Sequence, residues 1–125
     1  MENYNCFNRE IINNNLDKKI VNKVFLKIYD SVDSTNDQAK NYIKSSSSSL
    51  DRLNQNNLIG FAADSQVKGR GRRGHNWLSS DPASIAVSFL FKPKANVDKI
   101  PQITAAAALA VKETFDLFNL ETVVK

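Results

Sequence analysis

The chain has 125 residues, 42% hydrophobic and 24% charged, which is the size and composition of one soluble globular domain with a modest core. Its net charge of +4, from 17 Lys and Arg against 13 Asp and Glu, is milder than a dedicated nucleic-acid binder usually carries. One cysteine, Cys6, precludes an intramolecular disulfide, and with one histidine, His75, no Cys/His metal cluster can be assembled.

No apolar run reaches membrane-spanning length, and the start MENYNCFNREIINNNL, with acids among its asparagines, is unlike a signal or transit peptide. A cytoplasmic location without membrane association is therefore expected. Residues 1–22 hold seven asparagines and little apolar pattern, and read as a weakly structured lead-in with a short helix near Glu10 to Leu16. Cys6 reads there as a small residue without a catalytic partner.

VFLKIYDSV, Val24 to Val32, alternates with strand periodicity: Val24, Leu26 and Ile28 share one face, Phe25, Lys27 and Tyr29 the other. The period then changes. In STNDQAKNYIK, Thr35 and Gln38 have capping-box spacing and Ala39, Tyr42 and Ile43 fall on one helical face, so a helix is expected to open at Ser34 to Asn36 with its first N–H groups free for a ligand. The serine run Ser45 to Ser49 and the following LDRLNQNN read as a flexible, polar surface connection.

LIGFAADSQ, Leu58 to Gln66, reads as a buried strand leading into the loop KGRGRRGHNW, Lys68 to Trp77. That loop holds three of the four glycines and four cations within seven residues. ASIAVSFLFK alternates again, with Ile85, Val87, Phe89 and Phe91 opposite Ser84, Ala86, Ser88 and Leu90. From Val97 to about Asn119, Ile103, Ala107, Ala110, Val111, Thr114, Phe115 and Phe118 give a long amphipathic helix with Pro101 in its first turn. LETVVK then reads as the opening of a further strand. The order strand, helix, strand, basic loop, strand, helix predicts an α+β fold, a mixed sheet with helices packed on one side.

Glycines alternating with arginines let the backbone approach a ligand closely while each guanidinium offers a fork of donors matched to carboxylate or phosphate oxygens. The loop is built for anions. It lacks the G-x-x-x-x-G-K-[ST] of a P-loop, and GRGRRG fits the dinucleotide fingerprint by letter only, because its arginines would crowd the close helix packing that pattern needs.

The S-T-N of Ser34 to Asn36, the Q-x-x-G-R-G-R-R-G of Gln66 to Gly74 with Trp77 after it, and an alternating strand through Ser88 resemble the catalytic domain of biotin protein ligase, also called biotin–[acetyl-CoA-carboxylase] ligase or holocarboxylase synthetase. The resemblance runs from about Val24 to Lys125. It implies a fold like the class II synthetases and biotin–lipoate ligases, with residues 23–125 as part of that catalytic domain. The family joins biotin to ATP, with Mg²⁺, to give biotinyl-5′-AMP and pyrophosphate, then passes the biotinyl group to a lysine of a biotin carboxyl carrier protein or biotin-dependent carboxylase.

By this resemblance Ser34, Thr35, Asn36 and Gln66 would hold the polar head of biotin, and Arg70, Gly71 and Arg72 its carboxylate. Gly69, Arg70, Arg72 and Trp77 would hold ATP or the adenylate, Trp77 being equally explicable as a core anchor, and Ser88 would be structural. No protein-held metal site is implied. The family usually has Ala at the position of Lys68, Arg at His75 and Gly at Pro82; the first two differences leave the loop basic. The family also continues into a K-W-P-N-D segment, so the sequence reads as roughly the first half of the domain, truncated, and without a winged helix no DNA binding is expected. The alternatives are an RNA-binding module that uses GRGRRGH with Trp77 as a stacking platform, and a lipoate ligase relative.

Overall fold

The computed structural model describes residues 7–45, 47–54, 58–71, 75–79, 84–94 and 96–124. The chain forms two compact units, 1–92 and 93–125. The first is an α+β unit built on a mixed, open four-stranded sheet.

Helix α1, Arg9–Asn15, opens where the Asn8 side chain accepts from the N–H groups of Glu10 and Ile11 at 2.9 and 3.1 Å, and buries none of its residues. After a 3₁₀ turn at Val21–Lys23 comes β1, Val24–Val32. Helices α2, Thr35–Ser45, and α3, Ser47–Asn54, carry the chain to β2, Leu58–Arg70, which runs parallel to β1 with Phe25 beside Ile59 and Val32 beside Gln66. A parallel pair requires such a crossover. Strand β3, Asn76–Ser79, pairs antiparallel with the far end of β2, and β4, Ala86–Leu90, antiparallel with its near end from Ile59 to Ala63.

The core lies between the sheet and the two crossover helices. Ile59 and Phe61 are fully buried, with Ala39 of α2, Leu53 of α3 and the flanking Phe25, Tyr29, Tyr42 and Leu90 packed around them. The Tyr42 and Phe61 rings meet edge-on at 5.6 Å. On the opposite face a Cβ at Gly60 would lie 2.7 Å from Leu26 and 3.4 Å from Phe89, so glycine leaves the room that the Leu26 side chain takes. Of the two faces of β4, the one with Ala86 and Leu90 turns to the core, while Ile85 and Phe89 of the bulkier face are exposed.

Two expectations are corrected in this unit. The Ser-rich connection is helical over Ser47–Asn54: Leu53 is buried in the core, and the Arg52 guanidinium lies 4.6 Å from the Phe25 ring centre. One core anchor and one cation–π contact outweigh the polar composition around them. The cationic segment does not leave the sheet at Gln66 either. Strand β2 continues to Arg70, Gly69 pairs with Trp77, and the Gly71 N–H donates to the His75 carbonyl at 2.6 Å. A Cβ at residue 69 would collide with the Trp77 carbonyl, so this glycine serves a close strand pairing.

In the second unit a 3₁₀ turn, Val97–Lys99, leads into α4, Ile100–Asp116, with Pro101 in its first turn. The helix ends where the Asn119 N–H reaches the Asp116 carbonyl at 3.0 Å and the Leu120 N–H the Phe115 carbonyl at 3.1 Å, with Asn119 at φ 56°. This is a Schellman ending with asparagine in the left-handed position. Leu120 to Val124 form no strand, contrary to the reading of LETVVK, since β-prone residues become a strand only against a partner. Among the described residues no helix is long and apolar enough to cross a membrane.

Candidate functional site

The site lies where the start of α2, the second half of β2, β3 and β4 converge. Ser34 sits at the N-cap position, its carbonyl accepting the Gln38 N–H at 3.0 Å, and Thr35 is the first helical residue. Thr35 therefore does not form the local capping box that its spacing to Gln38 suggests. Its N–H is instead capped from the sheet, by Gln66 Oε1 at 2.8 Å.

The Thr35 hydroxyl is 3.1 Å from the same Oε1 and 2.9 Å from Ser88 Oγ. Oε1 can only accept, so the Thr35 proton points to Gln66 and the Ser88 proton to Thr35. The chain Ser88 to Thr35 to Gln66 thus has a fixed direction, joining β4, α2 and β2. Ser34 and Thr35 are both 4% exposed.

The cationic end of β2 is tied to the same helix start. The Lys68 N–H donates to the Asp33 carbonyl at 2.8 Å, and Lys68 Nζ lies 2.9 Å from Asp33 Oδ2. Arg70 Nη2 lies 2.8 Å from Asp37 Oδ2, in the first turn of α2, and Lys40 Nζ is 3.9 Å from the other Asp37 oxygen.

These elements enclose a cavity of about 280 Å³, lined by Ser34, Thr35, Asn36, Gln66, Arg70 and Trp77 together with Ile85, Ala86, Val87 and Ser88 of the β4 region. A second cavity of about 310 Å³ lies against Val67, Lys68, Gly69, Asn76 and the same Arg70 and Trp77. Arg70 and Trp77 therefore line both, with Trp77 64% exposed rather than in a core. Tyr29, whose phenol burial pushes above its ordinary range, lines neither cavity.

Of the residues singled out in the sequence, Ser34, Thr35, Asn36, Gln66, Arg70 and Trp77 meet in the first cavity, and Gly69 lies in the second. Gly71 follows β2, its N–H bonded to the His75 carbonyl, and Arg72 is outside the described residues. Ser88, read from sequence as structural, lines the cavity and orders Thr35. Asp37 was not singled out, although an acid three residues after the N-cap signal and a cationic segment elsewhere were both visible. Among the described residues no group of His, Cys, Asp and Glu is arranged to hold a metal.

The cavity lining combines hydrogen-bonding side chains with an arginine and a tryptophan. That arrangement suits a small ligand with a polar head and an anionic tail.

No protein-family profile matches the chain. A 49-residue stretch, 39% of the chain, is 41% identical to the bifunctional ligase/repressor BirA of Bacillus spizizenii and spans 15% of that protein's length. The local similarity is thus to a ligase, and it supports relatedness to the biotin ligases whose motifs the sequence resembles.

Proposed function

We propose that this chain forms part of the catalytic domain of a biotin protein ligase, which activates biotin with ATP and delivers it to a lysine of a carboxylase carrier domain. The observation that carries this reading is the meeting of Ser34, Thr35, Asn36 and Gln66 with Arg70 and Trp77 around one small cavity.

In this reading the polar head of biotin lies against Ser34, Thr35, Asn36 and Gln66, and its carboxylate reaches toward Arg70. The nucleophile is the substrate's own carboxylate, so the protein need supply no Ser, Cys or His nucleophile. A carboxylate oxygen attacks the α-phosphorus of ATP, the bond to the bridging oxygen breaks, and pyrophosphate leaves with that electron pair. Two anions must be brought together. Arg70, with Arg72 by motif, offsets their repulsion and fixes their approach. Mg²⁺ arrives with the nucleotide, as part of the substrate. In this reading the adenylate extends toward the second cavity, which Gly69, Arg70 and Trp77 line. The acceptor lysine amine then attacks the acyl carbon and AMP departs.

A nucleic-acid reading would use the same cations and the exposed Trp77. Lys68 and Arg70 are, however, each paired with a carboxylate, Asp33 and Asp37, so they present less net positive charge to a phosphate backbone than their number suggests. Calorimetry separates the two. The ligase reading expects heat on adding biotin, enhanced by MgATP, and weak, salt-quenched RNA binding. Tight RNA binding with no biotin heat would overturn it.

A further inference from the structure

Arg70 ends β2 at the rim of the cavity, and its side chain is 65% exposed. An arginine so placed would ordinarily sample many rotamers, and a ligand would have to still it on binding. Here one edge of the guanidinium is already held. Nη2 lies 2.8 Å from Asp37 Oδ2, while Asp37 is only 26% exposed and sits on the first turn of a helix whose start is fixed to β2 by the Gln66 cap. A guanidinium has five N–H donors, and one contact through Nη2 leaves a second edge able to meet a carboxylate.

We propose that Asp37 is a positioning residue for Arg70: its carboxylate holds the guanidinium across the rim of the cavity so that the remaining donors face an incoming carboxylate. For the identity of that carboxylate, the side-chain acid of biotin, the inference rests on the function proposed above. The competing arrangement has opposite consequences. If Asp37 merely neutralised Arg70, a ligand carboxylate would have to displace it, and removing Asp37 would tighten binding.

Two measurements on the 125-residue chain decide. The first needs no ligand. Nitrogen-15 spectra of the Arg70 Nε–Hε group, assigned with Arg70→Lys, are expected to show a restricted guanidinium in the wild type. Asp37→Ala should average the signal, and Asp37→Asn, which keeps an acceptor oxygen, should be intermediate. Equal mobility in wild type and Asp37→Ala overturns the proposal.

The second is calorimetry with biotin and with its methyl ester, which carries no charge. Asp37→Ala is expected to weaken biotin by about fivefold, the upper range for an exposed pair, and to change the ester by less than about twofold, with Asp37→Asn recovering part of the loss. Tighter biotin binding, or equal losses for acid and ester, overturns the proposal, because a merely structural Asp37 would affect both ligands alike. A wild type that binds neither ligand sinks the biotin reading, and the Arg70 spectra then still decide whether Asp37 positions the guanidinium.

Discussion

The two halves of β2 belong to one continuous strand and do different things. From Leu58 to Ala63 it is flanked by β1 and β4, and Ile59, Phe61, Ala62 and Ala63 are at most 1% exposed. From Asp64 to Arg70 the partner on that edge changes to β3, the register breaks between Gln66 and Gly69, and the side chains turn to helix capping and ion pairing. Strand pairing carries through from one half to the other, while near-complete burial belongs mainly to the first. A residue such as Gln66 is therefore placed by strand pairing and still lines a cavity.

Substitutions in each half should separate these roles. The largest effect is expected in the first half: Phe61→Ala should cost about 3–5 kcal/mol of unfolding free energy in urea, with fold and cavity lost together. Gly69→Ala in the second half should cost about 1–3 kcal/mol, because the new Cβ meets the Trp77 carbonyl and β3 must shift. Trp77 is the single tryptophan of the chain, so its fluorescence should report that shift while far-ultraviolet circular dichroism stays near wild type. An unchanged emission would mean that the hairpin does not need this glycine.

Gln66→Leu should cost about 1–3 kcal/mol by removing the acceptor of the Thr35 N–H, while the Thr35 hydroxyl keeps Ser88 Oγ, with faster amide exchange at Thr35 than at Ala39. Ser88→Ala removes one donor from the same chain and should cost about 1 kcal/mol. The smallest effect is expected for Lys68→Ala, under about 0.5 kcal/mol and vanishing in high salt, since both partners of that pair are largely exposed.

The same division marks what the sequence could and could not reveal. Alternation located β1 and the buried half of β2, because their burial is decided residue by residue along the strand. The helix start at Ser34 and the gathering of Asn36, Gln66, Arg70 and Trp77 were legible from short motifs, although the cavity joins positions up to about fifty residues apart. Helix α3 was missed because one buried leucine amid polar residues leaves no periodic trace, and the end of β2 because glycine and arginine read as loop when the close approach of Trp77 is not visible. The partners of Ser88 and Asp37 lie on other elements, so no local pattern could have named them.

One consequence follows from the Gln66 cap. The same amide oxygen completes a helix terminus and orders the hydroxyls of Thr35 and Ser88, so replacements at these three positions are coupled in their effect on the fold. Replacing Gln66 removes the cap of the helix start, and replacing Thr35 removes the hydroxyl that links Gln66 to Ser88. A saturation library at these positions should therefore show strong epistasis in stability, with folded variants clustered in a few co-varying combinations.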